Sequence, residues 1–139
     1  MIFKFLINGS ADQIINFEKE LLAILDKAFP EDNMISHEIH FCVHEAILNI
    51  IQHTYKWDTS LPMDIQLEIE EDNEKKVIEV LIKDFGKPIR KEIHPPKNIK
   101  SFQMRQRGLY MISKIMDDFY IKPINKTGNL SYMKKIIKK

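Results

Sequence analysis

The chain has 139 residues, 44% of them hydrophobic, which suffices for one compact domain with a core but not for two ordinary domains. We therefore expect residues 1–139 to form a single domain. The 21 basic and 20 acidic side chains leave a formal charge of +1, so overall charge gives no reason to expect binding to nucleic acid or a membrane surface. Any anion binding must be local.

Cysteine content and hydropathy indicate the compartment. The single cysteine, Cys42, excludes an internal disulfide and is expected in the core. No apolar run reaches the length of a membrane span, and residues 1–5 lack the basic segment and cleavage site of a signal peptide. We therefore expect a cytoplasmic protein.

The first predicted elements are a strand and two helices. Residues 2–7 are mostly β-branched or aromatic, which predicts a short strand. Ser10 with Gln13 forms a capping-box pattern, and apolar residues at helical spacing predict a helix that ends near residues 29–30. A second helix is expected to begin after residues 31–33.

The second helix has one wide apolar face and a polar edge. The apolar positions predicted to face the core are Ile39, Cys42, Val43, Ala46, Ile47 and Ile50. Glu45, Asn49 and Gln52 lie along the edge of that face, where a ligand could bind.

The second half of the chain alternates hairpins with a loop and a helix. Residues 65–83 alternate in polarity around a turn, which predicts an antiparallel hairpin. Residues 85–107 lack sustained periodicity and contain one glycine and three prolines, which predicts a long loop. Gly108 is expected to open a third helix, and residues 119–137 form a closing hairpin. The order β-α-α-β-β-loop-α-β-β predicts an α+β fold, a two-layer α/β sandwich whose mixed, mostly antiparallel sheet has helices on one face.

Glu45 and Asn49 are the most informative pair of residues. At spacing i, i+4 both side chains leave the helix on one face, inside an otherwise apolar segment. Polar groups on a buried surface cost free energy unless they find partners. A hydrated metal-phosphate would satisfy both side chains; simple hydrogen bonds to neighbouring residues are the alternative.

Two further segments are suited to nucleotide binding. Asp84, Phe85 and Gly86 follow a predicted strand, where a carboxylate can accept a hydrogen bond from a ligand amine and glycine allows close approach. Arg105 to Gly108 precede the third helix, whose free N–H groups and dipole favour phosphate. The first pattern alone is common and is usually explained by a turn at the end of a strand, and the second pattern alone is equally weak evidence.

The segment at about 86–107 is strongly basic. Its only acidic residue is Glu92, and its basic residues are Lys87, Arg90, Lys91, Lys97, Lys100, Arg105 and Arg107. A solvated mobile loop would explain the prolines but not the charge. A lid that closes over a polyphosphate would explain both.

Taken in order, these motifs resemble a known family over roughly residues 33–137. HEAILNIIQHTY resembles the N box, DFG the adenine-binding motif, and RQRGLYMISKIMDD the glycine motif of the histidine-kinase-like (Bergerat) ATPases. Among these, the chain is most similar to the anti-sigma-factor serine/threonine kinases. The ordered combination is far more specific than any single motif. The resemblance implies a Bergerat-type fold and binding of ATP or ADP with Mg²⁺.

The resemblance assigns Glu45 as the general base that accepts the proton of a substrate hydroxyl, and Asn49 as a Mg²⁺ ligand. It implies that Arg105 or Arg107 neutralises charge on the transferred phosphoryl group. These roles agree with phosphoryl transfer, which needs mainly positioning, a divalent cation and charge stabilisation.

The resemblance also assigns the nucleotide-binding residues. Asp84 would accept from the adenine amino group, and Gly86 would let the base approach closely. Gly108 and Leu109 would hold the phosphates through backbone amides. His53 would support the pocket, or would instead be a histidine favoured by the dipole at a helix C-terminus.

The implied function is a serine/threonine protein kinase. Such a protein would be a homodimer that holds a sigma factor inactive and phosphorylates an anti-anti-sigma (STAS-type) antagonist. The alternative is a nucleotide-gated protein-binding module without phosphoryl transfer. The presence of Glu45 favours the kinase, whereas Gln106, at a position where members often have glycine, favours the module.

The histidines allow two other interpretations. His44 and Glu45 superficially resemble a phosphoacceptor motif, but the basic residue and proline that normally follow are missing. His37, His40 and His44 share one helical face and could form part of a zinc site, although no cysteine or HExxH pattern supports it. We therefore expect a solvated or partly packed histidine face.

Overall fold

The structure is a computed structural model that describes residues 1–94 and 104–139, except for the side chains of residues 104–106. These described residues form five strands, three α-helices and one π-helix. Their bounds are β1 Ile2–Asn8, α1 Ala11–Ala28, α2 Asn33–Asn49, the π-helix Ile50–Thr54, β2 Pro62–Glu71, β3 Lys75–Asp84, α3 Met104–Ile115, β4 Asp118–Pro123 and β5 Asn129–Lys138. The predicted order of elements and the α+β sandwich are confirmed.

The five strands form one sheet in the order β1-β2-β3-β5-β4. We expected a mixed, mostly antiparallel sheet, and all four pairings between these strands are antiparallel. The reason is geometric. A strand followed by two helices returns antiparallel, so β2 can pair with β1. The helix α3 reverses the chain between β3 and β4, so β4 runs in the direction of β3 and its hairpin partner β5 runs antiparallel to both.

One face of the sheet carries the core. In the register, Val80 of β3 lies between Leu67 of β2 and Met133 of β5, and all three are buried. The three helices cover this face, and burial of each such side chain contributes about 1.5–3 kcal/mol. The predicted core face of α2, including Cys42, is confirmed, and burial raises the pKa of the Cys42 thiol to about 12. The thiol is therefore unreactive near neutral pH.

The two N-terminal helices begin with different hydrogen bonds. Asp32 caps α2, since its Oδ1 accepts from the backbone N–H of Met34 at 3.0 Å. The capping box predicted for Ser10 and Gln13 is wrong. Gln13 Oε1 accepts from the backbone N–H of Asn8 at 2.7 Å, so it fixes the end of β1 instead of the N-cap residue.

The third helix begins earlier than predicted. It starts at Met104, so the prediction that Gly108 opens it is wrong and the predicted loop is shorter. Met, Arg and Gln are good helix formers, so residues 104–107 extend the helix once the chain packs here. Gly108 is the fifth residue of α3, beyond the first four N–H groups that a helix leaves unpaired.

The helix α2 continues into the π-helix, which the sequence did not suggest. The N–H of Tyr55 bonds to the carbonyl of Ile50 at 2.9 Å, the i→i−5 pattern of a π-helix. The next residues, Lys56 and Trp57, have φ of 50° and 69°, a left-handed conformation that is uncommon for non-glycine residues. π-Helical turns are frequent at functional sites.

The described part of the predicted lid is attached to the sheet. Ile93 and Ile121 of β4 exchange two backbone hydrogen bonds of 2.7 and 2.9 Å. The lid prediction otherwise falls mostly on residues 95–103, which lie outside the described residues. Within the described helices, none is long and apolar enough to cross a membrane.

Candidate functional site

Five of the predicted site residues line one open pocket between α2, the π-helix and α3. These residues are Glu45, Asn49, His53, Gly108 and Leu109. Leu48 and Gln52 complete the lining, and the volume is about 60 Å³. The structure thus brings together two motifs that lie more than fifty residues apart in the sequence.

The helical spacing of α2 places Glu45 and Asn49 side by side in this pocket. Glu45 and Asn49 are one turn apart on α2, and Asn49 is 9% exposed. Opposite them, α3 packs against α2 with Leu109 and Ile112 buried. The pocket is therefore held by two packed helices.

Gly108 allows α3 to approach Glu45 closely. A Cβ atom at this position would lie 2.7 Å from Glu45 Oε2, closer than real Cβ contacts come. The predicted role of Gly108 at a helix N-terminus does not match its place inside α3. Gly108 instead lies beside the Glu45 carboxylate, and any side chain at this position would displace that carboxylate.

A second cluster forms at the carboxyl end of β3. The carboxylate oxygen Asp84 Oδ1 accepts from the Gly86 N–H at 3.0 Å and from Asn129 Nδ2 at 3.2 Å. Asp84 is 1% exposed, and burial raises its pKa above the ordinary value of 3.8, while these hydrogen bonds lower it. The carboxyl group is thereby fixed in a single orientation.

Asn129, the first residue of β5, links this cluster to the start of the predicted lid, Lys87 to Ile89. Its Nδ2 also donates to the Lys87 carbonyl at 3.1 Å, and its Oδ1 accepts from the Ile89 N–H at 2.8 Å. The sequence analysis missed Asn129. Its proximity to Asp84 follows from the β3–β5 register, in which the two residues are paired, and no local pattern encodes that register.

Tyr55 anchors the turn that follows Asp84, and it was also missed. Its buried hydroxyl donates to the Pro62 carbonyl at 2.5 Å and accepts from the Phe85 N–H at 2.9 Å. Burial raises the pKa of this hydroxyl, so it stays protonated and able to donate. The sequence signal that could have identified Tyr55 was its position at the end of the HEAILNIIQHTY motif.

The π-helix connects the pocket to the Asp84 cluster. A Cβ on Gly86 would lie 2.4 Å from Thr54 Cγ2, so the Thr54 methyl group packs directly on this glycine. Thr54 follows His53, which lines the pocket. Among the described residues, Asp84 and Gly86 are not part of the pocket wall, so the predicted site is divided between two clusters joined by the π-helix.

The two predicted arginines are less well defined. Arg107 is exposed on α3 and does not line the pocket. The prediction for the Arg105 side chain lies outside the described residues. The proposed charge-neutralising role of both residues stays a prediction.

The histidine face of α2 packs against α1. Glu18 Oε1 hydrogen-bonds to His44 Nδ1, and Glu18 Oε2 lies 3.7 Å from His40 Nε2. His37 is exposed, in line with the predicted partly packed face. Within the described part of the chain, no group of three His, Cys, Asp or Glu residues is arranged to hold a metal ion.

Comparison with known protein families gives a match that spans most of the chain. Residues 8–135 match the family described as histidine kinase-like ATPase domain. The match includes both clusters, from Glu45 to Asn129. No curated protein matches the chain significantly.

Proposed function

This chain belongs to the histidine kinase-like ATPase domain family, and on that premise we propose that it is an ATP- and Mg²⁺-dependent serine/threonine protein kinase of the anti-sigma-factor type. The family indicates nucleotide binding. One observation carries the proposal of phosphoryl transfer: the Glu45 carboxylate lies in the same pocket as Asn49 and Gly108. A module that only binds nucleotide has no need of a base at this position.

Glu45 is suited to accept a proton. Its carboxylate lines an open pocket, so an incoming hydroxyl group can reach it. In the proposed reaction the serine or threonine oxygen forms a bond to the γ-phosphorus of ATP. The bond from that phosphorus to the ADP oxygen breaks, and the hydroxyl proton moves to Glu45.

The donors present fit Mg²⁺. Asn49 is almost fully buried and lines the pocket, and its carboxamide oxygen is the kind of ligand atom that Mg²⁺ prefers. A bound Mg²⁺ would neutralise charge on the phosphate oxygens. Asn49 would hold the ion, and the remaining ligands would be phosphate oxygens and water.

The Asp84 cluster is suited to bind the adenine. Its carboxyl group is held by Gly86 and Asn129, so it offers a fixed acceptor for an exocyclic amino group. The space that a side chain at Gly86 would need is taken by the Thr54 methyl group, so this glycine holds the turn against the π-helix, and its close approach to the base stays a prediction. The π-helix fixes the spacing between this acceptor and the Glu45 pocket.

Calorimetric titration with ATP and ADP, each with and without Mg²⁺, tests the nucleotide site. We expect saturable binding that Asp84→Asn weakens for both nucleotides alike, because the adenine is common to them. Asp64→Asn is the matched control, since Asp64 is exposed on β2. If Asp84→Asn binds both nucleotides as the wild type does, the adenine assignment is wrong.

Transfer is tested by incubating the protein with ATP, Mg²⁺ and a purified STAS-domain protein, followed by mass spectrometry of the STAS protein. Glu45→Gln should bind ATP normally and lose transfer by about 10²-fold or more. Glu38→Gln, two turns earlier on α2, is the matched control. Undiminished transfer by Glu45→Gln would remove this residue from the role of base.

The nucleotide-gated binding module is the second candidate. It is favoured by Gln106 in place of glycine and by the small pocket, in which Glu45 Oε2 lies against Gly108. This second function predicts ATP binding without phosphorylation of any STAS protein. The proposed sigma-factor partner and homodimer are common to both candidates, and sedimentation with and without ATP measures the assembly.

A further inference from the structure

A second, larger cavity lies far from the nucleotide site. This groove, of about 520 Å³, runs between the C-terminal half of α1 and the ends of β1 and β2. Lys76, at the start of β3, lines the groove, whereas Asp84 ends the same strand. Eight residues of extended strand separate them by about 26 Å. The groove is therefore independent of the proposed kinase site.

The floor of the groove is apolar. Phe3, Ile24 and Ile69 are half-buried, because one side of each packs on the core while another side faces the groove. The helix contributes small residues, Ala23 and Ala28, at positions where larger side chains would fill the space. The cavity thus results from the residues that α1 places opposite the sheet.

The rim of the groove is basic. Lys27 and Lys76 line it together with one acid, Glu71. Glu71 Oε1 is already paired with Lys139 Nζ at 2.6 Å and lies 3.8 Å from Lys76 Nζ. The Lys27 ammonium group forms no hydrogen bond or ion pair with any residue that the structure describes. The rim therefore has unbalanced positive charge.

Lys76 is fixed in place at this rim. Its Nζ donates to the Ala28 carbonyl at the end of α1 and lies 5.0 Å from the centroid of the Phe29 ring. An ammonium group held in this way offers its remaining N–H groups to the groove without a further loss of side-chain freedom.

We propose that this groove binds a small amphipathic carboxylic acid, with its apolar body on Phe3, Ile24 and Ile69 and its carboxylate directed to Lys27 and Lys76. A cavity of this volume, mostly apolar with a few charged groups, has the character of a small-molecule site. Nine of the residues that the structure describes line it, whereas a stable protein interface uses about 20–30 on each side. The charge at the rim selects an acid over a neutral or cationic amphiphile.

The first test is calorimetry on the full chain with three probes of equal chain length, each below its micellar concentration. These probes are decanoate, decanol and decyltrimethylammonium. We expect one saturable site for decanoate, weaker binding of decanol by about fivefold or more, and no saturation with the cation. Equal binding of the three probes, or saturation with none, overturns the proposal.

Two pairs of variants locate the site. Ala23→Trp places an indole in the groove and should weaken decanoate binding by about tenfold or more, whereas Ala11→Trp, on the first turn of α1, should not. Ala23 is exposed, so this variant should fold. Equal affinity of the two variants for decanoate overturns the proposal.

The second pair tests the charge. Lys27→Gln should weaken decanoate binding by about two- to fivefold and leave decanol binding unchanged, since a rim ion pair contributes modestly. Lys19→Gln, two turns earlier on α1, should change neither. Wild-type affinity of Lys27→Gln for decanoate would contradict the proposed orientation of the acid, and with it the proposal.

Discussion

Replacing Asn129 with alanine should destabilise the fold in a pH-dependent way. The side chain is 1% exposed and forms three hydrogen bonds, to Asp84, Lys87 and Ile89. Asn129→Ala leaves the Ile89 N–H and the Lys87 carbonyl without this partner, and it removes one donor from a buried carboxyl group. No other described side chain joins β5, the end of β3 and the segment Lys87 to Ile89 in this way.

The expected loss at neutral pH is about 2–4 kcal/mol of unfolding free energy. Each unpaired buried group costs about 1–3 kcal/mol, and the Lys87 and Ile89 groups fall at the low end because they are only partly buried. The hydrogen bond to Asp84 makes the largest contribution to this loss while the Asp84 carboxyl group is ionised, because the acceptor is then charged.

The pH dependence follows from the pKa of Asp84. Burial raises this pKa in the folded state above the ordinary value of 3.8, and the hydrogen bonds from Gly86 and Asn129 lower it. A carboxyl group whose pKa is higher in the folded than in the unfolded chain keeps its proton to a higher pH when folded. Its contribution to stability therefore falls as the pH rises from the unfolded pKa to the folded pKa. Without Asn129 the pKa rises further, so the variant loses more stability than the wild type between about pH 4 and pH 7.

Urea unfolding at about pH 4 and about pH 7 measures this effect. We expect the difference between Asn129→Ala and the wild type to be smaller at the acidic pH. Ser131→Ala is the matched control, since Ser131 is equally buried two residues along β5 and pairs with Ile82 instead of Asp84. A loss below about 0.5 kcal/mol at neutral pH, or the same loss at both pH values, would refute the reasoning.

Substitutions at one tyrosine and two glycines give further predictions. Tyr55→Phe leaves the Phe85 N–H without its acceptor and should cost about 1–3 kcal/mol in urea unfolding, with weaker ATP binding in calorimetry; unchanged values would contradict the anchoring role. Gly128→Ala should cost about 2 kcal/mol or more in the same unfolding assay, because φ is +91° and a Cβ would lie 2.2 Å from a backbone oxygen of β3. Gly108→Ala should change thermal stability little, since it displaces only the mobile end of Glu45, but should weaken ATP binding by about tenfold; wild-type affinity would show that this contact does not shape the site.

Local sequence patterns predicted most of the secondary structure. The i, i+4 spacing of Glu45 and Asn49 and the apolar periodicity of α2 correctly placed both side chains at the edge of a core face. Such patterns are readable because helical geometry repeats every 3.6 residues, so neighbours on the face are close in the sequence. Where the pattern was weak, as at residues 104–107, the start of α3 was predicted incorrectly.

The contacts between segments needed the tertiary structure. Asn129 reaches Asp84 only because β5 pairs with β3, and Gly108 reaches Glu45 only because α3 packs on α2. Strand register and helix packing depend on the whole core, so no short segment encodes them. The π-helix at Ile50–Thr54 is a further case, because the contact of Thr54 with Gly86 joins two segments that are distant in the sequence.

The sequence by itself determined the fold class, the order of the elements and the chemical character of the three motifs. The tertiary structure decided that these motifs form two clusters, that Asn129 and Tyr55 hold the second one, and that a basic-rimmed groove lies at the far end of the sheet. The physical reason is that side-chain chemistry is local, whereas the distance between two side chains is fixed by packing of the entire domain.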